Sequence, residues 1–136
     1  MISVDPRKLE LSDSWQDGDE TARWRSGPGH SPSSGAQSSG SSLLEVEPRR
    51  RLPRHTDSAE ETIVVLAGTA EIQIGDEQGT VPAGGLAVVP RFVPHEVRNV
   101  GEDVLRFAAV YAEPSVITRY ERDVQPEGSA ERHTVS

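Results

Sequence analysis

Between Leu43 and Tyr111 the chain is a succession of short runs rich in β-branched and aliphatic residues, SLLEVE, TIVVLA, AEIQI, LAVV, HEVRNV and VLRFAAVY. They are separated by EPRR, GDEQG, PAGG and NVGED, which carry the glycine, proline, aspartate and asparagine that turns favour. Helical periodicity is absent, and strands this short and this closely spaced bury their apolar faces only by folding on one another. An all-β sandwich or barrel is the expected fold. ETARWRSG, residues 20–27, offers one further strand ahead of this zone.

The flanks read differently. Residues 1–20 are polar and acidic, with Leu9, Leu11 and Trp15 as anchors, and are expected to form an arm that docks weakly or pairs with a neighbour. GPGHSPSSGAQSSGSS, residues 27–42, has the composition of a long mobile loop. With these, the barrel itself would span residues 21–113. Residues 114–136 form a tail in which SVITRYERDV is a candidate short helix or edge strand, and its last ten or so residues are expected to be disordered.

A chain of 136 residues makes one domain the default. The 22 acidic residues against 14 basic ones give a net charge of -8, which disfavours a nucleic-acid backbone as partner. Arg49, Arg50, Arg51 and Arg54 are read as a solvated turn between strands. There is no cysteine, hence no thiolate site, and nowhere do eighteen apolar residues run together, so the expectation is a soluble cytoplasmic protein without membrane contact.

RHTDSAEETIVVLAG, residues 54–68, concentrates the polar groups with chemical potential. In a strand, side chains two apart share a face, so His55 and Asp57 point the same way. Glu61 is in phase with Ile63 and Val65, and faces the core if they do. An ionised glutamate entering a barrel needs a partner, and a metal ion would supply it. Of the four histidines, His30 lies in the Gly/Ser loop and His133 in the tail, both expected to be solvated, whereas His95 follows a proline-rich turn and opens a strand. His55, Asp57 and a distant His95 also match the two-histidine, one-carboxylate triad of 2-oxoglutarate-dependent oxygenases, with Arg106 as a co-substrate clamp. The chain is short for that class.

These residues resemble two motifs of the small single-domain cupins. His55, Asp57, Glu61 and Gly68 fall at the first motif's positions, with Asp57 where a second histidine is expected and Arg49 in place of the opening glycine. Gly84, Pro90, His95 and Asn99 fall at the second motif's positions, with Phe92 replacing its central glycine. The resemblance covers residues 43–113 and implies a double-stranded β-helix jelly roll. It also implies one divalent ion (iron, manganese, zinc or nickel) held by His55, Asp57, Glu61 and His95. Aspartate is shorter than histidine, so either the ion shifts or Asp57 acts through water, where a general-base role is the alternative. Two carboxylates would neutralise the ion and lower its Lewis acidity relative to a three-histidine set.

Arg91 and Phe92, in the turn before His95, and Arg106 are candidate substrate contacts, with surface packing the competing reading. Gly68, Gly84, Pro90 and Asn99 are read as turn and loop-capping residues, and Trp24, Phe107 and Tyr111 as core or interface. The resemblance favours a metal-dependent enzyme of oxygenase, isomerase or cyclase type acting on a small organic molecule. The competing readings are a non-catalytic metabolite-binding or sensing barrel and an accessory scaffold without a pocket. Exposed sheet edges and an apolar face lead to the expectation of a homodimer.

Overall fold

A computed structural model describes residues 1–136. It contains twelve strands, two short 3-10 turns and no α-helix. The strands are β1 (Ser12–Gln16), β2 (Asp19–Pro28), β3 (Gly40–Val46), β4 (Arg51–Asp57), β5 (Glu61–Ala67), β6 (Thr69–Ile74), β7 (Glu77–Pro82), β8 (Leu86–Val89), β9 (His95–Asn99), β10 (Leu105–Tyr111), β11 (Val116–Val124) and β12 (Ser129–Val135).

Eight of them pair as one long folded ribbon. β3 pairs with β10, β4 with β9, β5 with β8 and β6 with β7, all antiparallel, so the chain runs out along four strands and returns along the next four. The ribbon reverses at Gly75, whose φ of 58° a two-residue hairpin turn requires. Wrapped on itself, the ribbon deals its strands alternately to two walls. One has the order β1-β2-β3-β10-β5-β8 and the other β7-β6-β9-β4-β11-β12, with a single parallel bridge at Ala22 and Arg51 joining them. This is the jelly-roll barrel expected from the run of short strands.

The inner faces follow a period of two. Glu61, Ile63 and Val65 alternate inward on β5, and Leu105, Phe107, Ala109 and Tyr111 do so on β10. Eighteen buried apolar side chains form one cluster between the walls, Trp24, Phe107 and Tyr111 among them. Asn99 caps the loop behind it as expected: its amide donates to the carbonyls of Val46 (2.8 Å) and Asp103 (2.9 Å), and its oxygen accepts from the Gly101 N–H. Gly68 turns the chain between β5 and β6 at φ 82°, where a Cβ would lie 3.0 Å from the Val104 carbonyl oxygen.

Both flanks depart from expectation. Residues 1–20 are not a separate arm: Ser12–Gln16 pairs with β2 of the same chain. The tail is not disordered at its end, because Ser129–Val135 pairs with β11, which in turn pairs with β4. Polar side chains along β12 hide the strand from a composition-based reading, yet Val135 on β12 is buried, as are Val116 and Val124 on its partner β11. Gly40 makes room for Val135, since any Cβ there would clash with the valine side chain.

The Gly/Ser segment is likewise shorter than a 27–42 loop, with β2 running to Pro28 and β3 starting at Gly40. His30 within it is held at both ring nitrogens, by Ser41 (2.8 Å) and Ser39 (2.9 Å). Small residues let the two strand ends approach, as at Gly29 against Ser41. No helix is long and apolar enough to cross a membrane.

Candidate metal centre

Four buried side chains from both walls converge inside the barrel: His55, Asp57, Glu61 and His95. One ligand atom from each lies within 4.8 Å of every other. Three come from one wall, where His95 sits directly opposite His55 in the β4–β9 register, and Glu61 reaches across from β5.

A bulge makes this possible. Leu52 pairs with Val97 and His55 with His95, so β4 spends one residue more than β9 over the same interval. The extra residue turns both Leu52 and His55 inward although they are three apart. Pro53, without an N–H to lose, is suited to that irregularity.

The carbonyl of Pro53 accepts a hydrogen bond from His55 Nδ1 at 2.7 Å, and the carbonyl of Val93 accepts one from His95 Nδ1 at 2.9 Å. A carbonyl can only accept, so both rings carry their proton on Nδ1 and turn Nε2 toward the centre. That is the tautomer a metal-binding imidazole adopts.

Around the centre His95 Nε2 lies 3.0 Å from Glu61 Oε1 and 3.1 Å from Asp57 Oδ2, and His55 Nε2 lies 3.6 Å from the same oxygen. Donor atoms bound at about 2.1 Å to one ion are separated by about 3.0–3.4 Å at neighbouring positions. Asp57 therefore reaches the centre, despite its shorter side chain.

Its Oδ1 accepts a 2.6 Å hydrogen bond from Thr118 Oγ1, while Oδ2 is buried without any hydrogen-bond partner. The 3.1 Å approach of His95 to Oδ2 is close in distance but not aligned as a hydrogen bond, and His95 Nε2 is directed at Glu61 instead. An orphaned carboxylate oxygen gathered with two imidazole Nε2 atoms fits a cation. No thiolate is present, and the nitrogen/oxygen set suits Fe(II), Mn(II), Zn(II) or Ni(II).

The electrostatics without an ion point the same way. Burial, with His95 beside it, pushes His55 down to about 4. Burial works against charging His95, but the Asp57 carboxylate beside Nε2 and the hydrogen-bonded Glu61 carboxylate override it and raise that ring to about 10. Burial, reinforced by the Asp57 charge, lifts Glu61 to about 7. Burial opposes ionisation of Asp57 as well, yet His95 and His55 hold its carboxyl well below the usual range. A proton on His95 thus does the neutralising that a metal ion would do.

A cavity of about 380 Å³ opens onto this centre past His55 and Asp57. Its walls come from both flanking hairpins. β1 and β2 contribute Ser12, Ser14 and Trp24, and the β11–β12 hairpin contributes Thr118, Tyr120 and Arg132. Tyr120 packs against Trp24 and His55, with ring centroids 5.4 and 5.1 Å apart. His133 stands at the rim and is exposed, on β12 and not in a loose tail. A larger outer groove of about 550 Å³ is lined by paired surface charges such as Arg25 with Glu45 and Glu47, and none of the four donors lines it.

The three proposed substrate contacts lie elsewhere. Arg106 points outward and pairs with Glu45 at 3.2 Å, because it falls on the face opposite Leu105 and Phe107. This removes the clamp that a 2-oxoglutarate reading required. Arg91 pairs with Glu113 at 2.6 Å on the exposed turn. Phe92 is exposed at φ 63°, and its backbone N–H donates to the Asp57 carbonyl at 2.9 Å. Thr118, Tyr120 and Arg132 were not anticipated. The two-residue alternation of Val116, Thr118 and Tyr120 was the available signal.

The sequence matches the cupin-domain family model over residues 42–111, while no curated protein sequence matches it. The fold resembles the cupin domain of Schizosaccharomyces pombe Cnp3, with a TM-score of 0.67 and 14% identity over 82% of this chain and 73% of that one. It also resembles a candidate sugar phosphate isomerase from Acidithiobacillus ferrooxidans, with a TM-score of 0.65 and 17% identity over 84% of this chain and 75% of that one. Against the oxalate decarboxylase of Lactobacillus farciminis, solved with formate, the TM-score is 0.65 and the identity 20%. That alignment covers 76% of this chain but 31% of the longer enzyme. The matched strands, which carry all four converging donors, place this chain in the cupin family.

Proposed function

We propose that this cupin holds one divalent metal ion through His55, Asp57, Glu61 and His95, and that it acts on a small organic molecule entering the adjacent cavity. The observation that carries the reading is the orphaned Asp57 Oδ2, buried among two imidazole nitrogens and a second carboxylate. A bound ion would supply Lewis-acid or redox chemistry at a position reached from the cavity.

The protein's own groups have separable tasks. His55 and His95 offer Nε2 because backbone carbonyls hold their Nδ1 protons. Thr118 aims Asp57, whose weak hold on a proton suits a ligand better than a general base. Trp24 and Tyr120 give the cavity an apolar wall, and the serine and threonine hydroxyls give it polar contacts.

Elemental analysis of the purified protein beside a Glu61→Ala, His95→Ala double variant tests the metal. Near-stoichiometric iron, manganese, zinc or nickel, absent from the variant, is the expected result. Equally low metal in both after reconstitution would leave a non-catalytic ligand-binding barrel as the better account. That second reading draws on the charge balance, since two carboxylates leave a divalent ion formally neutral. A homodimer assembled through the outer face of the β5–β8 wall completes the proposal, because Leu66, Leu86, Val88 and Val110 are all exposed there.

A further inference from the structure

Two buried side-chain polar atoms in the molecule have no hydrogen-bond partner, and their residues line the same cavity. One is the acceptor Asp57 Oδ2, accounted for by a cation. The other is a donor, Arg132 Nε. A buried N–H that belongs to a guanidinium and has no acceptor is costly to maintain unless something fills the position.

Arg132 is held for such a role. Its strand β12 pairs with β11, placing Arg132 beside Thr118 in the register. Its guanidinium carbon lies 5.8 Å from the Trp24 ring centre, and its Nη2 donates to Glu127 Oε2 at 2.6 Å. The ion pair with Glu127 occupies one nitrogen and leaves Nε–H free. Glu127 itself is largely exposed, so water weakens its claim on the guanidinium. A guanidinium offers Nε and Nη donors as a fork that planar oxyanions match.

We propose that Arg132 is a specificity-determining residue, and that the cavity takes a small carboxylate whose oxygen accepts from Arg132 Nε–H while its body lies along Trp24 and Tyr120. The inference rests on the cavity reading given above and names the substrate class for it. The donor and the metal-type centre stand on the same cavity, so a carboxylate gripped at Arg132 is oriented with its remaining atoms free to face His55 and Asp57.

The test uses benzoate and glycolate, with benzyl alcohol and ethylene glycol as uncharged counterparts, titrated into the full chain in zinc-loaded and chelator-treated form. The readout is the Arg132 Nε–H proton resonance together with calorimetric affinity. The expected result is a downfield movement of that resonance with at least one carboxylate and not with its uncharged counterpart. Affinity for that carboxylate should fall about 10- to 100-fold in Arg132→Gln and recover in part in Arg132→Lys. Zinc content should be equal in wild type and Arg132→Gln, which separates this proposal from the metal reading. Carboxylate binding in the chelated protein alone would keep the clamp and count against the metal. Normal zinc content with an unmoved Arg132 resonance, whether no probe binds or water alone fills the position, overturns the clamp and leaves the metal centre standing.

Discussion

Thr118 Oγ1 donates to Asp57 Oδ1 at 2.6 Å, so a residue of the C-terminal hairpin sets the aim of a carboxylate inside the barrel. Thr118 stands opposite Asp57 in the β11–β4 register, and its hydroxyl also meets that of Thr134 on β12. Replacing Thr118 by valine keeps the shape and removes the hydroxyl. Outer hydrogen bonds of this kind are worth about 10- to 100-fold in metal affinity. Thr118→Val is expected to weaken metal binding within that range in a chelator-competition titration, with the fold intact by circular dichroism. Unchanged affinity would show that Asp57 does not need its outer partner.

A metal ion held by these four groups would compete with protons for them, and the protons alone already give the stability a definite pH dependence. His95 is raised in the folded protein from 6.5 to about 10. Its contribution in the metal-free protein is therefore complete below pH 6.5 and disappears as pH rises through about 10. Below pH 6.5 the depressed His55 and the raised Glu61 act in opposite directions and largely offset each other. Chelated protein should melt at lower temperature at pH 9 than at pH 6.5. Saturating metal should remove or reverse the trend, because its ligands bind deprotonated. A chelated protein equally stable at both pH values would contradict the proton-for-metal exchange.

Asn99 ties β9 to the end of β3 and to the loop before β10 through three hydrogen bonds. Asn99→Ala strands the buried Val46 carbonyl, at a cost of about 1–3 kcal/mol. The denaturation midpoint should fall accordingly at unchanged slope. A loss below about 1 kcal/mol would mean that water replaces the amide.

Leu86 and Val88 project from the edge strand β8, beside Leu66 on β5 and Val110 on β10. If this face joins two copies, light scattering should report a dimer for the wild type and a monomer for Leu86→Glu combined with Val88→Glu. A monomeric wild type at tens of micromolar would remove the dimer from the proposal.

The barrel strands were legible in the sequence because their inward residues are aliphatic at strict alternation, as in Glu61, Ile63 and Val65. The donor set was legible because His55, Asp57, Glu61 and His95 keep the family's spacing, even though the inward turn of His55 depends on a bulge that spacing does not reveal. β12 was not legible, since SAERHTV alternates among polar residues on both faces and one valine anchors it. β7 was missed for a related reason: GDEQG reads as a turn, and the strand character of Glu77–Pro82 comes from pairing with β6. Arg106 misled because its face could be assigned only once Phe107 was known to point inward. The cavity itself was out of reach, because it is made by segments from the two ends of the chain.

That last feature bears on how the molecule assembles. The eight-strand ribbon lies within one continuous stretch of chain, but Trp15 exchanges backbone hydrogen bonds with Gln125, and the Gln16 side chain meets the Arg122 carbonyl 106 residues away. Closing a loop of that length carries an entropic cost that local pairings do not, and contacts between distant segments slow folding. The barrel can therefore take shape before its pocket does. A partly folded chain would already gather His55, Glu61 and His95 while Asp57 still lacks Thr118, so metal could be captured by a nascent barrel ahead of the step that gives it somewhere to receive a ligand.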